Sequence, residues 1–195
     1  MFRTKIFLTF AIILLPILLT LGVLGLTNRT HLIQDNWKVI RAMITLSTQP
    51  TSLSATLMAG EGFYGLGKYQ RAAEYYLTAT TLNPAADMAW NSLGNAYRQL
   101  SLYNEAESAY KQAIELDADT PVYYLNLADL YKRLPALEGS RDKQIVATLE
   151  AGLKATDNHE ILLSAIVDYY EQTGDTKTAD KYQEMIKTSE NPEEL

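Results

Sequence analysis

The sequence predicts an all-α chain: an α-α superhelix of about four antiparallel helix pairs, preceded by a single transmembrane helix. Three observations predict it. Residues of matched size recur every 34 positions, apolar residues within each recurrence keep helical spacing, and a run of 21 residues near the N-terminus carries no charge.

The uncharged run comes first in the chain. Residues 1–5 form a short basic flank with Arg3 and Lys5, and Ile6 to Leu26 follow without a charged side chain. As a helix, 21 residues at roughly 1.5 Å each reach about 31 Å, enough to cross the hydrocarbon core of a bilayer. A secretory apolar region is usually shorter, about 7–15 residues, and Val23-Leu24-Gly25 is a poor small-x-small cleavage site. An uncleaved anchor over 6–26 is therefore expected, with a removed signal peptide as the alternative. A lipid-modified N-terminus needs a cysteine, and the chain has none. The missing cysteines also exclude a disulfide framework, a thiolate zinc site and a cysteine nucleophile. Arg3, Lys5 and the free amine outweigh Arg29 on the near flanks, so the expected topology is N-inside, with the remainder on the extracytoplasmic (periplasmic or extracellular) side. The net charge is −6, and no cluster of Lys or Arg offers a surface for phosphates, which argues against nucleic acid.

Residues 27–52 read as a juxtamembrane segment with a capping helix. Lys38 to Pro50 resembles the second helix of an incomplete pair, with Pro50 lying 34 residues before Pro84. The repeat domain is expected over 53–188, in units near 53–86, 87–120, 121–159 and 160–188, with 189–195 as a flexible tail. Gly60, Gly94 and Ala128 share one column, Phe63, Tyr97 and Tyr131 another. Ala72 pairs with Ala106, Tyr76 with Tyr110, and Ala79 with Ala113. In the second unit Trp90, Leu93, Gly94 and Tyr97 fall on one helix face, and Ala106, Tyr110 and Ala113 on the next. Ser101 to Asn104 reads as the connector that returns the chain antiparallel. Small residues at Gly94, Ala106 and Ala113 admit close approach while the aromatic rings fill the gaps. Neither helix buries its face alone, so such units occur in series. The third unit has Tyr124, Leu127, Ala128 and Tyr131, then a lengthened turn over Leu134 to Ser140 and a helix around Ile145 to Ala155. A fourth begins near Glu160, with Leu163, Tyr170, Gly174 and Ala179 in register and a second helix over Lys177 to Thr188.

Trp90-x2-Leu93-Gly94-x2-Tyr97 followed by Ala106-x3-Tyr110 resembles the tetratricopeptide repeat, with Tyr110 in the place of phenylalanine. The resemblance covers about 53–188. It implies a right-handed solenoid whose first helices line a concave groove, and a protein that binds other proteins and catalyses nothing. On that side stand Asn91, Asn95 and Arg98 in the second unit, Leu125, Asn126, Asp129, Lys132 and Arg133 in the third, and Ser164, Asp168 and Glu171 in the fourth. Asn91, Asn95, Arg98, Asn126, Asp129, Lys132 and Arg133 are the candidate partner-binding residues. Some members of the family hold a partner's C-terminal carboxylate with a clamp of asparagines and cations. Asn95 and Asn126 are similar to its asparagines, but Asn91, Ile161 and Ala165 stand where its cations would be. The two asparagines then suit the backbone of an extended or helical segment, with Arg98, Lys132 and Arg133 favouring an acidic one.

Competing motifs lack their context. Gly60 to Gly65 spells G-x-G-x-x-G, and Gly62 to Lys68 spells most of a phosphate loop. A dinucleotide fingerprint needs a preceding strand, and a phosphate loop needs Ser or Thr where Tyr69 stands. Gly60 is read instead as a packing glycine, and Gly67-Lys68-Tyr69 as a turn. His31 and His159 have no partner at metal-ligand spacing, so no metal or cofactor is expected. The sequon Asn28-Arg29-Thr30 lies against the proposed anchor. The leading expectation is a membrane-held scaffold for a protein partner. The alternative is an import or targeting receptor facing the cytosol, and the outsider a nucleotide-binding enzyme. The partner's identity and the oligomeric state are not legible.

Overall fold

The computed structural model of the chain describes residues 30–134 and 140–190. The basic flank 1–5, the apolar run 6–26, the sequon asparagine, the middle of the lengthened turn at 135–139 and the last five residues lie outside the described residues. Among the described residues there are helices and turns but no strand, and no helix is long and apolar enough to cross a membrane. The helices are α1 (Thr30–Thr48), α2 (Leu53–Gly65), α3 (Tyr69–Leu82), α4 (Asp87–Gln99), α5 (Tyr103–Leu116), α6 (Pro121–Arg133), α7 (Ser140–Ala155), α8 (Glu160–Thr173) and α9 (Thr176–Glu190). Each packs on the next in chain order, which makes a linear stack.

The turns repeat as faithfully as the helices. Gly67 closes α2 at φ +69°, and Ser101, 34 residues later, closes α4 at φ +60°. Gly174 does the same after α8 at φ +83°. This left-handed backbone suits glycine and strains serine. The connector is shorter than the sequence suggests, because Tyr103 and Asn104 already belong to α5. Between units, Asn83 Oδ1 accepts from the Ala85 amide at 3.1 Å, and Asp117 Oδ1 accepts from the Asp119 amide at 3.0 Å. These side chains, also 34 apart, end one helix and aim the chain into the next unit.

Within a pair, a ring lies against a glycine. A Cβ placed on Gly60 would come 2.6 Å from Tyr76 Cε1, and one on Gly94 would come 2.7 Å from the Tyr110 ring. The third unit solves the contact differently. Ala128 replaces the glycine and the aliphatic Leu149 stands where the tyrosine would be, once the five-residue extension of the turn is counted. Ala128 and Leu149 are buried in one core with Tyr124, Leu127, Ile145 and Leu162. A second core holds Phe63, Ala72, Ala73, Tyr76 and Leu93. Ala79, Ala106 and Ala113 are wholly buried, and Pro84 lends its carbonyl to the Trp90 indole N–H at 2.9 Å.

One sequence reading needs correction at the N-terminal end. The helix expected from Lys38 begins eight residues earlier, at Thr30, and ends before Pro50. The G-x-G-x-x-G string lies inside α2, with no strand before it, as its missing context implied; Gly60 faces Tyr76, while Gly62 and Gly65 make room for α1. A Cβ on Gly62 would come 2.6 Å from Val39 Cγ2 and 2.9 Å from the Asp35 carbonyl, and Gly65 lies directly under the Asp35 carboxylate. α1 therefore completes the stack by backbone approach.

Gly94→Ala should lower stability by about 1–3 kcal/mol through the displaced Tyr110, although alanine favours a helix by up to about 1 kcal/mol over glycine. Ser101→Gly should raise it by about 1 kcal/mol by relieving the left-handed backbone. Urea unfolding measures both, and a stabilised Gly94→Ala would show that the ring contact imposes no constraint.

Candidate functional site

The first helices of successive units touch: α4 meets α6, and α6 meets α8. The second helices stand apart. A cleft of about 550 Å³ opens between α3 and α5, lined by Leu77, Trp90, Tyr97 and Ser108, and one of about 380 Å³ between α5 and α7, lined by Ile114, Tyr124, Tyr131 and Ala147. The stack is thus tighter on its first-helix side, which makes that side the inner one.

The predicted polar stripe lies there, and most of it is bonded to itself. Asn126 Nδ2 donates to Asn91 Oδ1 at 2.8 Å. Arg98 donates to the Asp129 carboxylate, which also accepts from Arg133 Nε at 3.1 Å. Asn95 Oδ1 accepts from the Tyr110 hydroxyl at 2.8 Å and from Arg98 at 3.4 Å. Near the N-terminal end of α4, the Tyr123 hydroxyl donates to Asp87. These contacts form a ladder from α4 to α6 with rungs Asp87–Tyr123, Asn91–Asn126 and Arg98–Asp129. One further contact joins α2 to α4, from Gln99 Nε2 to the Tyr64 hydroxyl at 3.4 Å. Sequence reasoning missed Asp87, Tyr123, Tyr64 and Gln99. Their common signal is a separation of 35 or 36 residues, one period plus one or two.

Of the seven candidate residues, six join this ladder and Lys132 does not. Lys132 is exposed and makes no hydrogen bond or ion pair among the described residues. The ladder leaves chemistry to spare. The amide N–H groups of Asn91 and Asn95 and the amide oxygen of Asn126 take no part in those bonds, and all three side chains are only half-buried. Arg98 is largely covered, with 14% of its side chain exposed, so its charge sits close to Asp129 in a shielded place. Ser164, Asp168 and Glu171 continue the side on α8 as exposed polar groups, and Ile161 and Ala165 supply no charge there. The inner side can hydrogen-bond a peptide backbone at its middle and offers cations at Lys132 and Arg133.

Among the described residues, no three His, Asp or Glu side chains gather as metal ligands. The displaced titrations belong to tyrosines. Burial pushes the phenols of Tyr76, Tyr110 and Tyr131 well above the usual range, the neighbouring charge of Glu61 adding at Tyr76 and the bond to Glu107 at Tyr131. Burial raises Glu107 as well, but bonds from Lys111 and Tyr131 outweigh it and hold the carboxyl below its ordinary value. Each of these shifts follows from burial and from bonds made within the stack.

A family model for the tetratricopeptide repeat matches residues 57–121. No curated protein matches the sequence. Among solved structures, a crystal structure of MamA is similar at a TM-score of 0.63 and 19% identity, covering 79% of this chain and 87% of that one. MamA from Desulfovibrio magneticus RS-1, from residue 41 to its end, is similar at 0.63 and 14% identity, covering 83% and 88%. The APC/C hetero-tetramer Cut9-Hcn1 is similar at 0.62 and 19% identity, covering 76% of this chain and 27% of that one.

In the folded chain Tyr76, Tyr110 and Tyr131 stay protonated far above their ordinary value of 10.0. The unfolded chain ionises near that value. Stability from these phenols is therefore complete below about pH 10 and is lost as the pH climbs towards the folded-state values. Tyrosinate absorbance and helical circular dichroism recorded together in an alkaline titration should show this tyrosinate fraction emerging only as helix is lost; its emergence with helix intact would place the rings in water. Residues 57–121 thus match tetratricopeptide repeats, and the likeness to these solved structures shows a shared helical-solenoid fold.

Proposed function

We propose that this chain is a non-catalytic interaction scaffold, held at a membrane by residues 6–26, that binds a segment of a protein partner along the inner side of its helices. The observation that carries the reading is the half-buried polar ladder of α4 and α6 with its unspent amide groups, beside the exposed cations Lys132 and Arg133. An extended or helical acidic segment suits it: the asparagines meet the partner's backbone and the cations its carboxylates. The fold itself supports a binding role, and one similar structure, Cut9-Hcn1, is a hetero-tetramer. The 21-residue uncharged run supports the anchor, and the basic residues before it support repeats on the extracytoplasmic side.

Site-specific photo-crosslinking in intact cells tests this reading. A photoreactive residue at Lys132 should trap a discrete protein adduct, and one at Gln112, in the outer cleft, should not. Arg133→Gln should weaken the Lys132 adduct several-fold with the melting temperature little changed, because the Arg133–Asp129 pair is solvent-exposed and Asp129 keeps its bond from Arg98. Equal adducts at the two positions would refute the inner side as the binding surface. Protease added to intact and to opened cells reads the topology in the same samples: cleavage of the repeats only after the inner membrane is opened would reverse the proposed orientation.

A further inference from the structure

α1 is apolar on two faces, and α2 covers only one of them. The inner face carries Asp35, Val39, Ala42 and Leu46, and rests on Gly62 and Gly65. On the opposite side Ile33, Trp37, Ile40 and Ile44 follow one another at i, i+4, i+7 and i+11, a straight stripe about 16 Å long. These side chains are 37%, 54%, 47% and 56% exposed. The outer face of a terminal helix in such a stack is ordinarily polar, because water is its only neighbour. Here nothing among the described residues covers it.

Position and charge both indicate the occupant. The uncharged run ends at Leu26 and α1 starts at Thr30, so four links of chain, at most about 14 Å, separate the two. Charge is divided unevenly along the chain. Residues 27–52 hold Arg29, Lys38 and Arg41 against Asp35 alone, for a net +2, while residues 53–195 hold 12 Lys and Arg against 22 Asp and Glu, for −10. The one acidic side chain of α1 is on the inner face, against Gly65. Gln34 and Arg41 lie along one flank of the stripe, and Lys38 lies beyond them, 3.7 Å from the carboxylates of Asp35 and of Glu61 on α2. A helix with tryptophan and isoleucine on one face and basic residues beside them suits the boundary between headgroups and acyl chains.

We propose that α1 lies flat on the bilayer, with Ile33, Trp37, Ile40 and Ile44 entering the acyl boundary and the acidic repeats directed away from an anionic surface. The inference rests on the anchored reading above. It makes α1 a second membrane contact, one that fixes the tilt of the stack where the anchor alone would leave it free.

The test uses the full chain reconstituted in vesicles of phosphatidylcholine and phosphatidylglycerol. The chain has two tryptophans, so Trp90→Phe leaves Trp37 as the reporter. Phosphatidylcholine brominated near the carbonyl end of its acyl chains should quench Trp37 by about half, and lipid brominated near the terminal methyl should quench it less, as expected for a ring at the headgroup boundary. Ile40→Asp with Ile44→Asp should abolish most of this quenching while flotation and helical content persist. Vesicle-bound protein with unquenched Trp37 overturns the proposal and leaves the anchor standing: water-like emission places the stripe in solvent, and blue-shifted emission places it against protein. Protein that fails to float overturns the anchored reading and the proposal together. Quenching that survives the double substitution overturns the stripe as the contact. Because the chain has no cysteine, Ile44→Cys carrying an environment-sensitive dye gives the same readings independently if Trp90→Phe does not fold.

Discussion

Every helix pair in the first half of this protein depends on an aromatic ring occupying the space that a glycine leaves empty. Tyr76 over Gly60 and Tyr110 over Gly94 set how close the two helices of a unit come, and with them the angle at which the next unit starts. The alanines at 72, 79, 106 and 113 are buried around these contacts. Larger side chains there would push the helices apart and lift the rings off the glycines. The third unit keeps the spacing by a compensating exchange, Ala128 gaining a methyl group and Leu149 replacing a ring, so the volume is conserved while the chemistry changes.

The inner side follows from the same spacing. With first helices this close, side chains on α4 and α6 reach one another directly, and Asn91, Arg98, Asn126 and Asp129 become rungs between units. A polar stripe read from sequence as a surface for a partner is, in the folded chain, also a fastening between repeats. The fastening leaves room for the proposed partner role, because an asparagine has more bonding capacity than one rung uses. A partner would thus meet a surface already held in shape, losing little entropy in ordering it.

What the sequence disclosed followed from periodicity. Columns such as Phe63, Tyr97 and Tyr131 recur because each unit buries the same face, so their positions state the fold directly. The turns were legible for the same reason, although Ser101 concealed its backbone conformation behind a side chain that rarely adopts it. Contacts between neighbouring units were not legible. Asp87–Tyr123 and Gln99–Tyr64 join residues that are one period and a remainder apart, and nothing in a single unit marks them as partners. The start of α1 was hidden as well, because it has no complete unit to be compared with, and nothing in the sequence marks the glycines at 62 and 65 as the surface that receives it. The candidate residues lie on α4 and α6, the first helices of their units, but their mutual bonding depends on how the helices assemble, which a single unit does not define.

The two buried cores share few residues, and Tyr97 is one of the side chains packed against both. In a linear stack, each unit feels the rest only through its immediate neighbours. Tyr97 therefore lies where cooperativity must cross from one half of the molecule to the other. A change at Tyr97 thus bears on both cores at once, which no residue confined to either core can do.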